Sequence, residues 1–535
     1  MKKSLKTLLV MAVVLVVLGG AAVALWLTAP EPEVEEESSS STPSYPVIDR
    51  EAADVESISI ESDAGDFTIV PLEDEETSSA SSESSASSED GDSSSSETTT
   101  TVNFTLEEYQ DYELTTSRIN TSVNNIVGLS ATKELGAQED LDTFGLTDEA
   151  LCTITVHYKD GGEDQLVLGA EAGESSGNYI LKDGEVYIGY LPSQLYYGPF
   201  TYFDNEVYAV ADRVSETGDE EGTTSQETLS DQLNSMELSG TNFPQPIKIV
   251  YDDSLTSGYL VTEPVTAESG TTAFSDMVTA LKSLTATQVV DAGLSQETLE
   301  KYGLAQPAAK IAFDMNGEEH TLAVSAPDEE GVCYLTADDH DVVYEVTQDD
   351  VSTWAGVDLM DLRMSYIWLP NIQDVRKLTL TVDGDMVYSY DVTKVLNEEK
   401  STDSVPSYDL QVKNAGGEDI DYEVYQDYYQ DILSIAVLSA DQDPYSDSPA
   451  LRIEYEYFEK DGSDVIEFFA VEGKDRYAAE LNGEFNGLVR KQSVEDLVAS
   501  LPDLDRNYSP QVEEENSSAV ESEASSASSA SSEAE

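Results

Sequence analysis

The pattern of apolar and polar positions passes through one order of elements three times. Each pass opens on a pair of alternating stretches that predict paired strands. In the first, Ile58 and Ile60 alternate with serines, and Phe67 to Val70 returns after Asp63-Ala64-Gly65. In the second, Ile247 to Tyr251 returns at Tyr259 to Thr262, and in the third Leu378 to Val382 returns through Met386 to Tyr390. The period then changes to that of a helix whose apolar positions face a core: Ile119, Val123, Ile126; Phe274, Met277, Leu281, Leu284; Tyr428, Ile432, Ile435. Two further hairpins follow. One set turns at Asp160-Gly161, Asn316-Gly317 and Asp461-Gly462, the other at Asp183-Gly184, near Asp338-Asp339, and at Asn482-Gly483. Such dipeptides take the positive φ angles of a tight hairpin turn. A short helix closes each pass, at about 191–197, 348–356 and 493–501, the last with Ser493 and Asp496 spaced as a capping box.

Between helix and hairpins the first two passes share a motif. GLSATKELGAQEDLDTFGL (128–146) and SLTATQVVDAGLSQETLEKYGL (283–304) both end in Leu-x-x-aromatic-Gly-Leu. A short turn stops where Gly adopts the left-handed conformation, and the Leu beyond it folds back on the Leu inside. Leu141, Gly145 and Leu146, and Leu299, Gly303 and Leu304, are therefore expected as structural caps. The third pass lacks the glycine and has the Asp-, Ser- and Pro-rich stretch 441–449 instead.

The ends and spacers complete the organisation. Lys2, Lys3 and Lys6 precede an apolar run from Leu8 to about Ala29, long enough for a spanning helix of about 20 residues. The positive-inside rule puts all that follows outside the cell, in a single-pass protein of the cell membrane. Ala22-Val23-Ala24 would suit a signal-peptide cleavage site, but the apolar run continues through Leu25-Trp26-Leu27, which favours an uncleaved anchor. Stretches of Glu, Ser and Pro at 31–43, 75–101, 214–230 and 511–535 lack the apolar residues that offset ordering entropy, and read as disordered. The expected plan is an anchor at 1–29, a disordered spacer at 30–54, and a first repeat at 55–210 interrupted at 75–101. A linker at 211–242, a second repeat at 243–360, a degenerate third at 361–508 and an acidic tail at 509–535 follow. The fold class is α+β: three repeats of antiparallel hairpins with helices, after one transmembrane helix.

The formal net charge of −82, from 26 basic against 108 acidic residues, repels phosphate and disfavours nucleic acid as a partner. Cys152 and Cys333 sit in separate strand-like runs, as small buried hydrophobes and not as a disulfide.

Candidate chemistry is sparse. Ser130 and Lys133 match a Ser-x-x-Lys pattern, but the second pass has Thr285 and Gln288 there, and the companion motifs of penicillin-recognising enzymes are missing. His157, His320 and His340 have no metal-ligand spacing. Asp441, Asp443 and Asp447 could offer oxygen ligands to calcium, yet Tyr445 takes the fifth place of the loop and no glycine the sixth. Gly169, Gly173 and Gly177 join strand to strand, without a helix N-terminus to receive phosphate. Tyrosines are abundant, notably Tyr196, Tyr197 and Tyr202 and the run Tyr422, Tyr425, Tyr428, Tyr429; the last group has the spacing of a buried helix face. No catalytic residue, cofactor or metal is expected.

The plan of anchor, strand pair, helix, Leu-x-x-Tyr-Gly-Leu and two hairpins resembles the bacterial family called domain of unknown function 4340, with residues 283–304 carrying most of the likeness. Leu166 to Gly169 and Tyr179 to Ile188 are similar to that family's Gly-containing strand and the Tyr strand after it. The likeness covers about 55–210 and 246–358, and 374–501 more loosely. It implies a membrane-anchored, non-catalytic protein, in part similar to the auxiliary proteins of gliding-motility-type ABC transporters. The expected partners are the membrane and envelope or transporter proteins; a surface protein binding polysaccharide or another ligand is the alternative.

Overall fold

The computed structural model describes residues 44–72, 102–173, 177–218, 224–255, 257–338, 340–401 and 406–507. The expected anchor, the insertion at 75–101 and the tail at 511–535 lie outside these residues. Among the described residues no helix is long and apolar enough to cross a membrane.

The fold is mixed α and β, dominated by three nine-stranded sheets in which each strand pair is antiparallel. In the second sheet a four-strand meander runs Leu233–Ser239, Ile247–Tyr251, Tyr259–Glu263, Ala267–Ser269. The helix Thr272–Ala280 follows, and then Gln288–Ala292, which crosses to the far edge. A second meander, Ala309–Met315 to Val342–Thr347, starts beside Leu233–Ser239 and ends against that far strand. The third sheet has the same order, with Val375–Val382 and Tyr445–Tyr457 at its centre and the helix Tyr422–Leu433 between the meanders. The first has Val55–Glu61 beside Cys152–Tyr158 and the helix Thr116–Val127, with three strands in the meander before the helix and Tyr45–Pro46 at the opposite edge. A bulge sits at the start of the central strand in all three, at Val55/Ser57, Leu233/Ser235 and Val375/Lys377. By contact the chain forms two compact units, residues 1–111 with 115–202 and residues 112–114 with 203–535, so that the second and third sheets share one unit.

Each helix covers one face of its sheet, as its apolar spacing requires. Ile119, Val123 and Ile126 are buried, as are Phe274 and Met277, and Tyr425, Tyr428, Tyr429 and Ile432. Leu284 lies beyond its helix, in the strand Ser283–Thr285. Gly145 and Gly303 hold φ of +65° and +72°. Beyond them Leu146 N–H donates to the Leu141 carbonyl (3.2 Å) and Leu304 N–H to the Leu299 carbonyl (2.7 Å). The aromatic of each motif has a tyrosine partner across the turn. Phe144 packs on Tyr179 with ring centres 4.8 Å apart, and Tyr302 on Tyr334 at 4.7 Å. Gly169 makes room for the first of these turns, since a Cβ there would lie 2.3 Å from the Phe144 carbonyl oxygen.

Four sequence expectations are corrected. The linker 211–242 contains Leu233–Ser239, a central strand of the second sheet; its bulge and its intervening Asn, Ser and Glu break the alternation that marks a strand. The stretch read as disordered at 214–230 pairs Val214–Gly218 with Thr224–Thr228. The spacer 30–54 includes Tyr45–Pro46, which pairs with Ser130 and Ala131, and a buried Ile48, because Tyr45, Val47 and Ile48 supply apolar surface that 31–43 lacks. The last helix begins at Lys491 without a side-chain cap, and Asp496 accepts from Gln492 instead; the capping box is formed by Thr347 and Asp350.

Two consequences are measurable. Gly303→Val is expected to cost about 1–3 kcal/mol through φ strain alone, and Gly169→Ala to displace the whole 141–146 turn. Hydrogen exchange should show lost protection in Ala309–Met315 for the first and in Cys152–Tyr158 for the second. Unchanged protection in both would remove the turns from the core. Cys152 and Cys333 are buried, and burial pushes the Cys152 thiol up to about 12. A maleimide at mild pH should therefore label neither thiol in the native chain and both in denaturant.

Candidate functional site

The residues proposed by sequence for chemistry are held apart. Ser130 and Lys133 lie in the strand Ser130–Gly136, both exposed, on either side of a register shift between Ala131 and Lys133. His157 lies 3.3 Å from Glu163 on the surface of the first sheet. His320 packs against Tyr208 and Phe313 in the second, and His340 is 3.9 Å from Glu113. Among the described residues no group of His, Cys, Asp and Glu could hold a metal ion. The stretch 441–449 is not all loop, since the strand Tyr445–Tyr457 begins inside it. Asp441 accepts from Ser439 and Asp443 pairs with Lys474. Tyr202, Tyr425 and Tyr429 are fully buried; Tyr202 donates to Ser122 Oγ (2.9 Å) and Tyr429 to the Pro370 carbonyl (2.8 Å).

The polar residues that do converge are ones the sequence reading passed over. The connector after the second sheet runs between two sheet edges and pairs with both. On one side Arg363 bridges Ser269 and Met364 N–H donates to the Glu268 carbonyl (2.7 Å), extending the edge strand Ala267–Ser269. On the other, Tyr366 bridges Ala436 and Val437 N–H donates to the Ser365 carbonyl (2.6 Å), at the edge strand Val437–Ser439 of the third sheet. Residues 363–366 thus join the second sheet to the third through backbone hydrogen bonds.

Arg363 is 1% exposed and is held by oxygens. Its Nε donates to the Met364 carbonyl (2.9 Å), its Nη2 to the Tyr366 carbonyl (3.0 Å) and to Asn486 Oδ1 (2.9 Å), and its Nη1 to the Asn486 carbonyl. Burial lowers its pKa to about 10, so it stays protonated at neutral pH. Asn486 donates to the Thr266 carbonyl, and Thr266 Oγ1 donates to Glu484 (2.6 Å). Glu268, 4% exposed, accepts from Ser257 Oγ (3.0 Å) and Tyr366 OH (3.3 Å), while burial and then Glu268 push the Tyr366 phenol up to about 12. Gly487 leaves the space, because a Cβ there would stand 2.4 Å from Val437 and 3.5 Å from the guanidinium.

A cleft of about 300 Å³ opens beside this joint, lined by Phe243, Pro264, Asp358, Leu359, Asp441 and Gln442 among others. Asp358 is occupied in capping Leu359–Leu362. The arrangement is suited to fixing two sheets in register and to receiving a side chain, with no nucleophile and base paired in it. Sequence carried one signal: Arg363 is a lone cation in a stretch otherwise acidic or apolar, whereas Asn486-Gly487 reads as a turn although it lies inside the strand Glu484–Arg490.

Within the same unit Phe203 bridges Leu114, and Glu206–Ala209 pairs with Ser283–Thr285.

No curated protein and no solved structure matches the chain. Residues 261–443 match the model of the family described as Domain of unknown function (DUF4340), a span that begins in Tyr259–Glu263, crosses the Arg363 joint and ends beyond Val437–Ser439. The similarity to DUF4340 thus rests on this segment, which is less than half of the chain and includes both edges that residues 363–366 join.

Proposed function

We propose that this chain is a non-catalytic interaction protein of the cell envelope: three copies of one α+β repeat, held by a single N-terminal transmembrane helix, outside the membrane, as an auxiliary component of an ABC-type transport system. The observation that carries the reading is the Arg363 joint. The buried Arg363 network connects the second sheet to the third and directs its donors mainly to backbone carbonyls, an arrangement that fixes structure and holds the guanidinium away from any substrate. Support also comes from the common strand order of the second and third sheets, which the first follows with one strand moved from one edge to the other. A chain of net charge −82 suits protein partners with basic surfaces and not anionic lipid or nucleic acid.

Crosslinking in intact cells followed by identification of the captured proteins tests this. The expected capture is a transporter subunit, one that also co-purifies after gentle detergent extraction. Retention of the chain on wall polysaccharide, with no protein captured, would contradict it and support the polysaccharide-binding alternative.

A further inference from the structure

Five cations of the described surface each sit over an aromatic ring and beside a carboxylate. Arg50 lies 4.7 Å from the Tyr158 ring centre and 3.1 Å from Asp160. Lys301 lies 4.5 Å from Tyr302 and 2.9 Å from Asp291, and Lys460 5.2 Å from Tyr457 and 3.2 Å from Asp464. Lys394 spans Phe458 and Tyr408 and reaches Asp374, and Lys491 reaches Tyr477 and Glu495. The chemistry is the same each time. A ring face attracts the cation electrostatically and the carboxylate holds it in place.

One site in the first compact unit has the ring and carboxylate components, with no such cation among the described residues. Tyr190 and Tyr197 are 67% and 64% exposed, more than any other described aromatic residue. Tyr196 lies between them in character: half-buried, its ring centre is 4.8 Å from that of Tyr197. Glu171 pairs with Asn178, and Asn178 with Gly189, the residue before Tyr190, so the carboxylate and the Tyr190 ring start from neighbouring positions at one end of the sheet. Glu171 ends the strand Glu163–Glu171 and is exposed.

The rings are mounted rigidly. Tyr190 is followed at once by the buried Leu191, and the turn Gln194–Tyr197 is pinned by Leu195, which is fully buried. Gly198, at φ +89°, backs onto Ala64, where a Cβ would meet the carbonyl oxygen at 2.7 Å. Exposed aromatic side chains held this way lose little entropy when a partner covers them.

We propose that Tyr190, Tyr196, Tyr197 and Glu171 form a docking seat for an arginine or lysine side chain presented by a basic segment of a partner protein. Charge complementarity selects this occupant. With 26 basic against 108 acidic residues, the chain is poor in cations of its own and its field attracts a basic partner. The openness of the rings suits a side chain carried on a larger surface more than a small enclosed ligand. Tyr and Arg are also the residues most often found at the energetic centre of an interface. This inference rests on the interaction reading above and names the chemistry of the partner.

The test is titration of the full purified chain with an oligo-arginine peptide at about 0.15 M ionic strength, comparing variants that leave the tyrosine charge unchanged. The double variant Tyr190→Ala/Tyr197→Ala is expected to bind about three- to tenfold more weakly. Tyr190→Phe/Tyr197→Phe should bind as the wild type does, because the ring faces remain, and Glu171→Gln should weaken binding. All four side chains reach solvent, so equal melting temperatures confirm that the variants fold. Wild-type affinity in the Ala pair would overturn the proposal. So would loss of binding to an uncharged glucan in that pair with arginine binding intact, which would make the rings a sugar platform. Either result leaves the crosslinking test of the interaction reading untouched.

Discussion

An open antiparallel sheet ends in two strands whose outward N–H and C=O groups have no partner, and such edges invite aggregation unless something pairs with them. Three nine-stranded sheets in one chain multiply the problem. The connectors answer it. Residues 363–366 pair with Ala267–Ser269 on one side and with the start of Val437–Ser439 on the other, and Glu206–Ala209 pairs with Ser283–Thr285. At the first sheet Tyr45–Pro46 lies on Ser130 and Ala131, and Val47 and Ile48 both donate to the Leu129 carbonyl. The segment after each long helix is thus met by a strand from upstream. The connection is itself structure, which is why the boundaries expected at 210–243 and 360–361 do not fall in free linker.

The joint between the second and third sheets is polar. Arg363 places a charge there, and a buried charge is tolerated only when its donors are satisfied. Four hydrogen bonds to oxygens of Met364, Tyr366 and Asn486 do this without a carboxylate in direct contact. Because such bonds are directional, the polar joint fixes orientation more tightly than an apolar one of equal area. Gly487 and Asn486 are the concessions the strand Glu484–Arg490 makes to admit it.

Much of this was legible in the chain. The helix faces, the hairpin turns at Asn316-Gly317 and Asn482-Gly483 and the antiparallel mixed fold follow from periodicity and from backbone preferences that act locally. What was missed depends on long-range pairing. Leu233–Ser239 is a strand because Ile247–Tyr251 and Ala309–Met315 flank it, and its own sequence, broken by a bulge, barely alternates. Tyr45–Pro46 is too short to announce itself. Arg363 and Asn486 lie 123 residues apart, and nothing local to either marks the other as its partner. The surface tyrosines show the same limit: Tyr197 and Tyr202 look alike in sequence, yet one is 64% exposed and the other fully buried.

The claim that residues 363–366 bind the second and third sheets into one body is tested most directly by Arg363→Met, which keeps the length of the side chain and removes its donors. Left without them, the Asn486 side chain and the facing carbonyls are unsatisfied, at about 1–3 kcal/mol each. Hydrogen exchange across a denaturant series should show Ala309–Met315 and Ser463–Val471 opening in a single step in the wild type. In the variant these strands are expected to open in two separate steps, with early loss of protection at Met364 and Val437. A variant in which both sheets still open together, at the wild-type midpoint, would contradict the account.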